Sequence, residues 1–375
     1  MIWLTWRQFR PQAIAAAGAL IVMAIALAAT GHGVGSAYTS SGLSACHANC
    51  ATVASNFIGR MGSFDHILYF GSIALMYLAP ALMGLFWGAP LIAREFETGT
   101  HRIAWNQSVT RTRWTFVKLG LVGLGAIATA GLLSLMVTWW ASPIDRAASL
   151  AGGSLQVAAG AGGGVHSTWD VLTRLEPAVF AARGVAPLGY AAFAFALGVT
   201  AGVLLRRTLP AMAVTLVLFA VIQVVVPTAV RPHLLPPAHF TAPVNLNTPK
   251  QVNVSATTGQ VSGVQLTAPF AKPGAWVVSQ VFYAGRRVDP GVISTSSGLE
   301  LTTLPRACMF TPGSGRPGAE GCRNALAAMH LRQSVAYQPA SRFWPLQWIE
   351  TGIYLVLAAG LGWVCVSQVR RRRAA

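Results

Sequence analysis

The sequence predicts an all-α polytopic membrane protein: six transmembrane helices, with a small mixed external domain between helices five and six. Three observations predict it. Only 10% of the 375 residues are charged and 54% are hydrophobic. An ordinary soluble domain carries about 25% charged residues, so too little polar surface remains here to face water. Six stretches are apolar and free of charge over the length a bilayer demands, about 20 residues. Finally, basic clusters recur at every second join between these stretches, the alternation that sets orientation in a membrane.

The six runs are Ala13–Ala29, Ile67–Ala93, Leu119–Ala141, Gly184–Leu205, Thr208–Val230 and Thr351–Val369. Pro80, Pro90, Pro187 and Pro210 lie in them or at their ends, which spanning helices tolerate better than soluble ones do. Arg7 and Arg10 precede the first run. Arg94, Arg102, Arg111, Arg113 and Lys118 lie between the second and third, Arg206 and Arg207 between the fourth and fifth, and Arg370 to Arg373 after the sixth. All four clusters share one side if the chain is a multi-pass protein of the cell membrane with both termini cytoplasmic. The first external loop carries only Arg60; the long segment before the sixth run is also basic, but long segments cross largely regardless of charge.

The net charge of +17 would suggest nucleic acid on a soluble protein. Beside apolar runs it suits anionic lipid headgroups, so membrane lipid, not nucleic acid, is the expected partner. None of Lys118, Lys250 and Lys272 is followed by Ser or Thr, so the chain holds no P-loop.

The chain divides into consecutive regions. Residues 1–12 read as an interfacial amphipathic helix, with Ile2, Trp6 and Phe9 on one face and Trp3, Arg7 and Arg10 on another, ended by Pro11. The competing reading of residues 1–29 is a cleaved signal peptide with Ala26-Leu27-Ala28 as its cleavage site. Residues 13–93 hold spans one and two, 94–118 a cytoplasmic loop, 119–230 spans three to five, 231–347 the external domain, and 348–375 span six with a basic tail. The external segment Ser142–Arg183 contains the run Ala158 to Gly164, a linker by composition. Within 231–347, Gln251–Ala256 and Trp276–Ala284 read as strands and Gly321–Ser334 as a helix.

Of five cysteines, Cys46, Cys50, Cys308 and Cys322 fall outside and Cys365 inside span six. Exterior thiols meet an oxidising environment; local pairing, Cys46–Cys50 and Cys308–Cys322, is the simplest of three connectivities. A zinc site at Cys46, His47 and Cys50 lacks a fourth ligand. No HExxH, GxSxG or zinc-finger spacing occurs, so no catalytic residue, metal or cofactor is expected. No acid or base lies deep in a run, which argues against ion coupling and against an intramembrane enzyme.

One cytoplasmic segment is unusual. Leu91-Ile92-Ala93-Arg94-Glu95-Phe96-Glu97-Thr98-Gly99-Thr100-His101-Arg102 holds both cytoplasmic acids, and Gly99 can end a short helix in the left-handed conformation. It makes a compact charged elbow at the bilayer surface, or else a basic anchor that only holds topology. Gly84-x-x-x-Gly88 and Gly198-x-x-x-Gly202 let helices approach closely, within the chain or between subunits.

From Gly88 to Arg102, and on through Ser108 to Trp114, the chain resembles the segment after the second span of ABC-2 type transporter permeases, closest to actinobacterial versions. Weaker echoes are Trp139 to Pro143, Gly189–Pro210 and Tyr337 to Pro345. The resemblance implies six spans with cytoplasmic termini, a homodimer or heterodimer of permeases, and a separate ABC-type ATPase subunit that docks on the loop after span two. It implies that Arg94, Glu95, Phe96, Glu97, Gly99, Thr100 and His101 form the coupling segment. The function expected is the permease half of an exporter for an amphipathic or lipid-like substrate. The rival is a membrane-anchored sensing protein with an external receptor domain and no ATPase.

Overall fold

In the computed structural model the described residues are 2–46, 50–99, 110–150, 155–159, 167–171, 173–244, 251–254, 261–266, 270, 272–284, 287–288, 292–295, 298–301, 324–325 and 327–371. Six of the helices among them are long and apolar enough to cross a membrane. They are built from α1 (Ile2–Ser40), α3 (Ser63–Met83) running into α4 (Ala89–Glu97), α5 (Arg111–Leu150), α6 (Ala186–Leu205), α7 (Thr208–Val225) and α8 (Phe343–Arg371). A shorter α2 (Cys50–Gly59) lies between α1 and α3.

These helices outrun the apolar stretches that mark them. At 39 and 40 residues, α1 and α5 are each roughly 60 Å long, against about 30 Å of hydrocarbon. Two expectations are corrected. Pro11 does not end an interfacial helix; α1 passes straight through it. Thr5 and Phe9 before the proline are buried, whereas Trp6 is exposed, so Trp6 and Phe9, expected on one face, differ in their surroundings. Packing on either side of Pro11 holds one helical axis despite the missing N–H. Likewise Ser142–Leu150 continues α5 instead of opening a loop, because Ile144, Ala147 and Ala148 remain buried.

The hub is α6. Its sequence is apolar all round, which is the signature of a helix with no solvent-facing side, and it is buried along its length except at Leu188, Leu204 and Leu205. It is packed by α3–α4, α5, α7 and α8, while α1 lies outside, mainly against α5. Two glycine pairs set the tightest approach. A π-helical turn, Gly84–Gly88, joins α3 to α4. A Cβ on Gly198 would collide with the Gly84 carbonyl oxygen, and one on Gly202 would sit 2.5 Å from that of Ala89. Both GxxxG motifs are therefore used on each other inside one chain.

At one end of the bundle lie the start of α1, the end of α4, the start of α5, the α6–α7 turn and the end of α8, so Arg7, Arg94, Arg113, Arg207 and Arg370 gather at this basic end. The other end carries the strands. Between α5 and α6, β1 (Leu155–Ala159) pairs antiparallel with β2 (Ser167–Val171). Ala158 and Ala159 are thus strand and not linker; the glycine run after them lies outside the described residues.

Between α7 and α8 there are two four-stranded antiparallel sheets. One has the order β3 (Ala238–Pro243), β10 (Leu331–Gln338), β6 (Trp276–Ala284), β7 (Arg287–Val288). The other has the order β4 (Gln251–Val254), β5 (Val261–Leu266), β9 (Gly298–Leu301), β8 (Val292–Thr295). The helix expected to Ser334 is corrected from Leu331 onward. Leu331, Gln333 and Val335 alternate inward with period two, and His330 turns the chain with φ +46°. Trp276 anchors the first sheet to the bundle in a cluster with Phe180, Phe343 and Tyr354.

Candidate functional site

The charged elbow comprises the last turn of α4 and the residues just past its end. Ala89, Ile92 and Ala93 bury one face of α4, leaving Arg94 and Glu97 outward. The helix ends at Thr98, whose N–H and Oγ1 both donate to the Arg94 carbonyl (3.0 and 2.9 Å). Gly99 then leaves in the left-handed conformation, φ +71°, where a side chain would be strained.

The two carboxylates grip different helices. Glu97 accepts from the Thr208 N–H and from the Thr208 Oγ1, both at 2.7 Å. It thereby caps the first turn of α7 from another helix and puts a negative charge at the positive end of that helix dipole. Glu95 forms an ion pair with Lys118 near the start of α5. The Lys118 side chain is only 3% exposed, and its ammonium lies 4.7 Å from the Trp114 ring centre. Phe96 packs half-buried against the apolar cluster of Phe9, Ile92, Trp114, Val203 and Val369. So the structure brings Glu95, Phe96 and Glu97 to the meeting point of α4, α5 and α7. Arg94 instead faces a cavity of about 420 Å³ lined also by Gln8, Gln12, Trp87 and Thr98. Thr100 and His101 lie outside the described residues.

The elbow also reaches the hub. It continues from the Gly84–Gly88 turn that lies backbone to backbone against α6. A π-helical turn of this kind interrupts the regular hydrogen-bond ladder. The contacts of the elbow and its root thus reach α5, α6 and α7.

At the opposite end, charged side chains that flank the apolar runs are buried in pairs. Arg231, just past α7, and Glu350, inside α8, form a fully buried bidentate pair: Nε to Oε2 at 2.7 Å and Nη2 to Oε1 at 2.9 Å. The Tyr190 hydroxyl of α6 donates to the same carboxylate, and the guanidinium carbon of Arg231 lies 4.2 Å from the Phe180 ring centre. A second buried pair joins Arg183 to Asp145 of α5 at 3.2 Å. Beside them Gln347 of α8 accepts from the Val185 and Ala186 N–H groups (3.0 and 2.7 Å) and donates to the Phe180 carbonyl (3.0 Å). It caps α6, whose own N-cap residue, Val185, has no side chain able to do so. The available signal was positional: Arg231 directly follows one apolar run and Glu350 directly precedes another.

Cys46 and Cys50 are joined in a disulfide, Cα to Cα 5.8 Å; Cys308 and Cys322 lie outside the described residues. Cys365 is buried in α8.

Residues 17–231 match the family described as ABC-2 membrane transporter related. The match covers more than half of the chain and includes the elbow, the hub helix and Arg231. No curated protein and no solved structure matches the chain.

Proposed function

We propose that this chain, which belongs to the ABC-2 membrane transporter related family, is the permease half of an exporter whose ATP is hydrolysed by a separate ABC-type subunit. The family and the six apolar helices make the chain a multi-pass membrane subunit of a transporter. Beyond that, the basic end faces the cytoplasm, the ATPase docks on the elbow from Arg94 to His101, and two permeases, identical or different, work together. The substrate is amphipathic or lipid-like.

One observation carries this reading. The elbow is tied to α7 through Glu97 and to α5 through Glu95, and its root abuts α6. A partner that displaces it acts on three spans at once, which is what conversion of ATP-driven closure into a rocking of helices requires. The acids serve transmission, and no group here is asked to perform chemistry.

The test uses the full-length chain isolated from membranes with its associated polypeptides. The expected result is recovery of an ATP-hydrolysing subunit with the wild type. The double variant Glu95→Arg, Gly99→Pro should insert to the same level yet lose that subunit or its coupling to transport. Normal transport by the double variant would sink the reading. Consistent absence of an ATPase would favour the sensing protein with an external receptor domain.

A further inference from the structure

The cavity in front of Arg94 does not stand alone. Its floor residues Gln12 and Trp87 also line the mouth of a second cavity of about 360 Å³, between α1, α3 and α5. The two differ in chemistry. The first mixes Arg94, Gln8 and Thr98 with Phe9 and Leu91. The second is walled by Ala15, Ala16, Ala19, Leu82, Phe86 and Leu133. The alanines of α1 leave the groove open, and from Gln12 to Leu20 it descends roughly 12 Å along the helix. Gln12 Nε2 donates to the Phe86 carbonyl of the π-helical turn at 3.3 Å, and Phe9 stands edge-on to Trp87 at 5.0 Å. Together these contacts lie at the junction of the polar and apolar walls.

From this geometry we propose that the paired cavities bind one membrane glycerophospholipid, with its phosphate at Arg94 and an acyl chain in the α1–α3 groove. The polarity is split in the sense a lipid requires, with a Trp at the join, where indoles sit at headgroup depth. The charge is complementary as well. Glu95 is engaged by Lys118, while among the described residues no carboxylate forms an ion pair with Arg94. A guanidinium suits phosphate by its fork of donors. Each cavity falls within the size range of small-molecule sites. The site requires only that the chain be seated in a bilayer, not that it be an exporter. Since Arg94, Glu95 and Thr98 belong to both cavity and elbow, bound lipid becomes part of the elbow's packing.

The experiment uses the intact chain reconstituted in bilayers containing a phospholipid with a photoactivatable acyl chain, in parallel with a diacylglycerol bearing the same chain. Adducts are mapped by mass spectrometry. The phospholipid probe should label peptides covering residues 12–20 and 75–87 roughly tenfold more than the diacylglycerol, the effect of one charge-assisted contact. Arg94→Gln should erase that preference, and Ala16→Phe should remove the groove adducts. Ala19→Leu, at an exposed position, is the milder substitute if Ala16→Phe fails to insert. Excess inorganic phosphate should not compete. The proposal is overturned if both probes label every lipid-facing helix evenly, if the groove peptides instead crosslink to a second copy of the chain, or if free phosphate displaces the lipid.

Discussion

Single side chains hold the ends of this bundle, and their contributions differ in kind. The Arg231–Glu350 pair is buried on both sides, so removing one partner strands a charge without water. Glu350→Ala should destabilise the folded chain by about 3–5 kcal/mol, while Arg231→Met with Glu350→Leu should recover most of that, because the cost is the orphaned charge rather than the lost attraction. Unfolding in mixed micelles, read as a double-mutant cycle, checks it. Glu97 is a different case: it is exposed, and its role is local. Glu97→Ala should speed hydrogen exchange of the Thr208 amide, which loses its acceptor, with little change in overall stability, whereas Glu97→Gln should retain part of the protection. Unchanged exchange at Thr208 in the alanine variant would show that the carboxylate is not the cap.

Among the elements, α6 sets the architecture because it can be approached closely. Gly198 and Gly84 face one another across backbone, and a backbone atom cannot swing aside as a side-chain tip can. Gly198→Ala should therefore force α3–α4 away from α6 and cost at least about 1–3 kcal/mol, seen as a lowered melting temperature and reduced membrane yield. Gly352→Ala, with nothing within 4 Å of the added carbon, should melt with the wild type. The amino end of α6 depends on α8. Gln347→Ala leaves the buried Ala186 N–H and the part-buried Val185 N–H without their acceptor, at about 1–3 kcal/mol for a buried group left unsatisfied. The same melting measurement separates this from the near-neutral glycine.

For the whole molecule, orientation is the prediction. If the basic end faces the cell interior, a membrane-impermeant thiol reagent applied to intact cells should label Arg60→Cys, at the strand end, and should reach Arg207→Cys only after permeabilisation. Both positions are exposed, and the background should carry no other free thiol. The reverse pattern would place the elbow outside and remove any access for a cytoplasmic ATPase.

Much of this was readable from the chain. Six spans came from uncharged runs because nothing but hydrocarbon or a core welcomes twenty apolar residues in a row, and the Arg clusters told which ends lie together. The elbow stood out by its two acids among bases, and Gly99 by its place after them. The hidden features had a common cause. Lys118, Asp145, Gln347 and Glu350 each sit beside an apolar run, where a polar residue ordinarily meets water or headgroups. Their burial depends on helices that continue past the apolar stretch and pack against partners far along the chain. Local pattern carries hydrophobicity and period; it does not carry who faces whom. Thus membrane residence, span number and the location of the elbow were properties of the string of residues. The Glu97 cap, the two buried ion pairs and the paired cavities exist only because segments distant in the chain pack against one another.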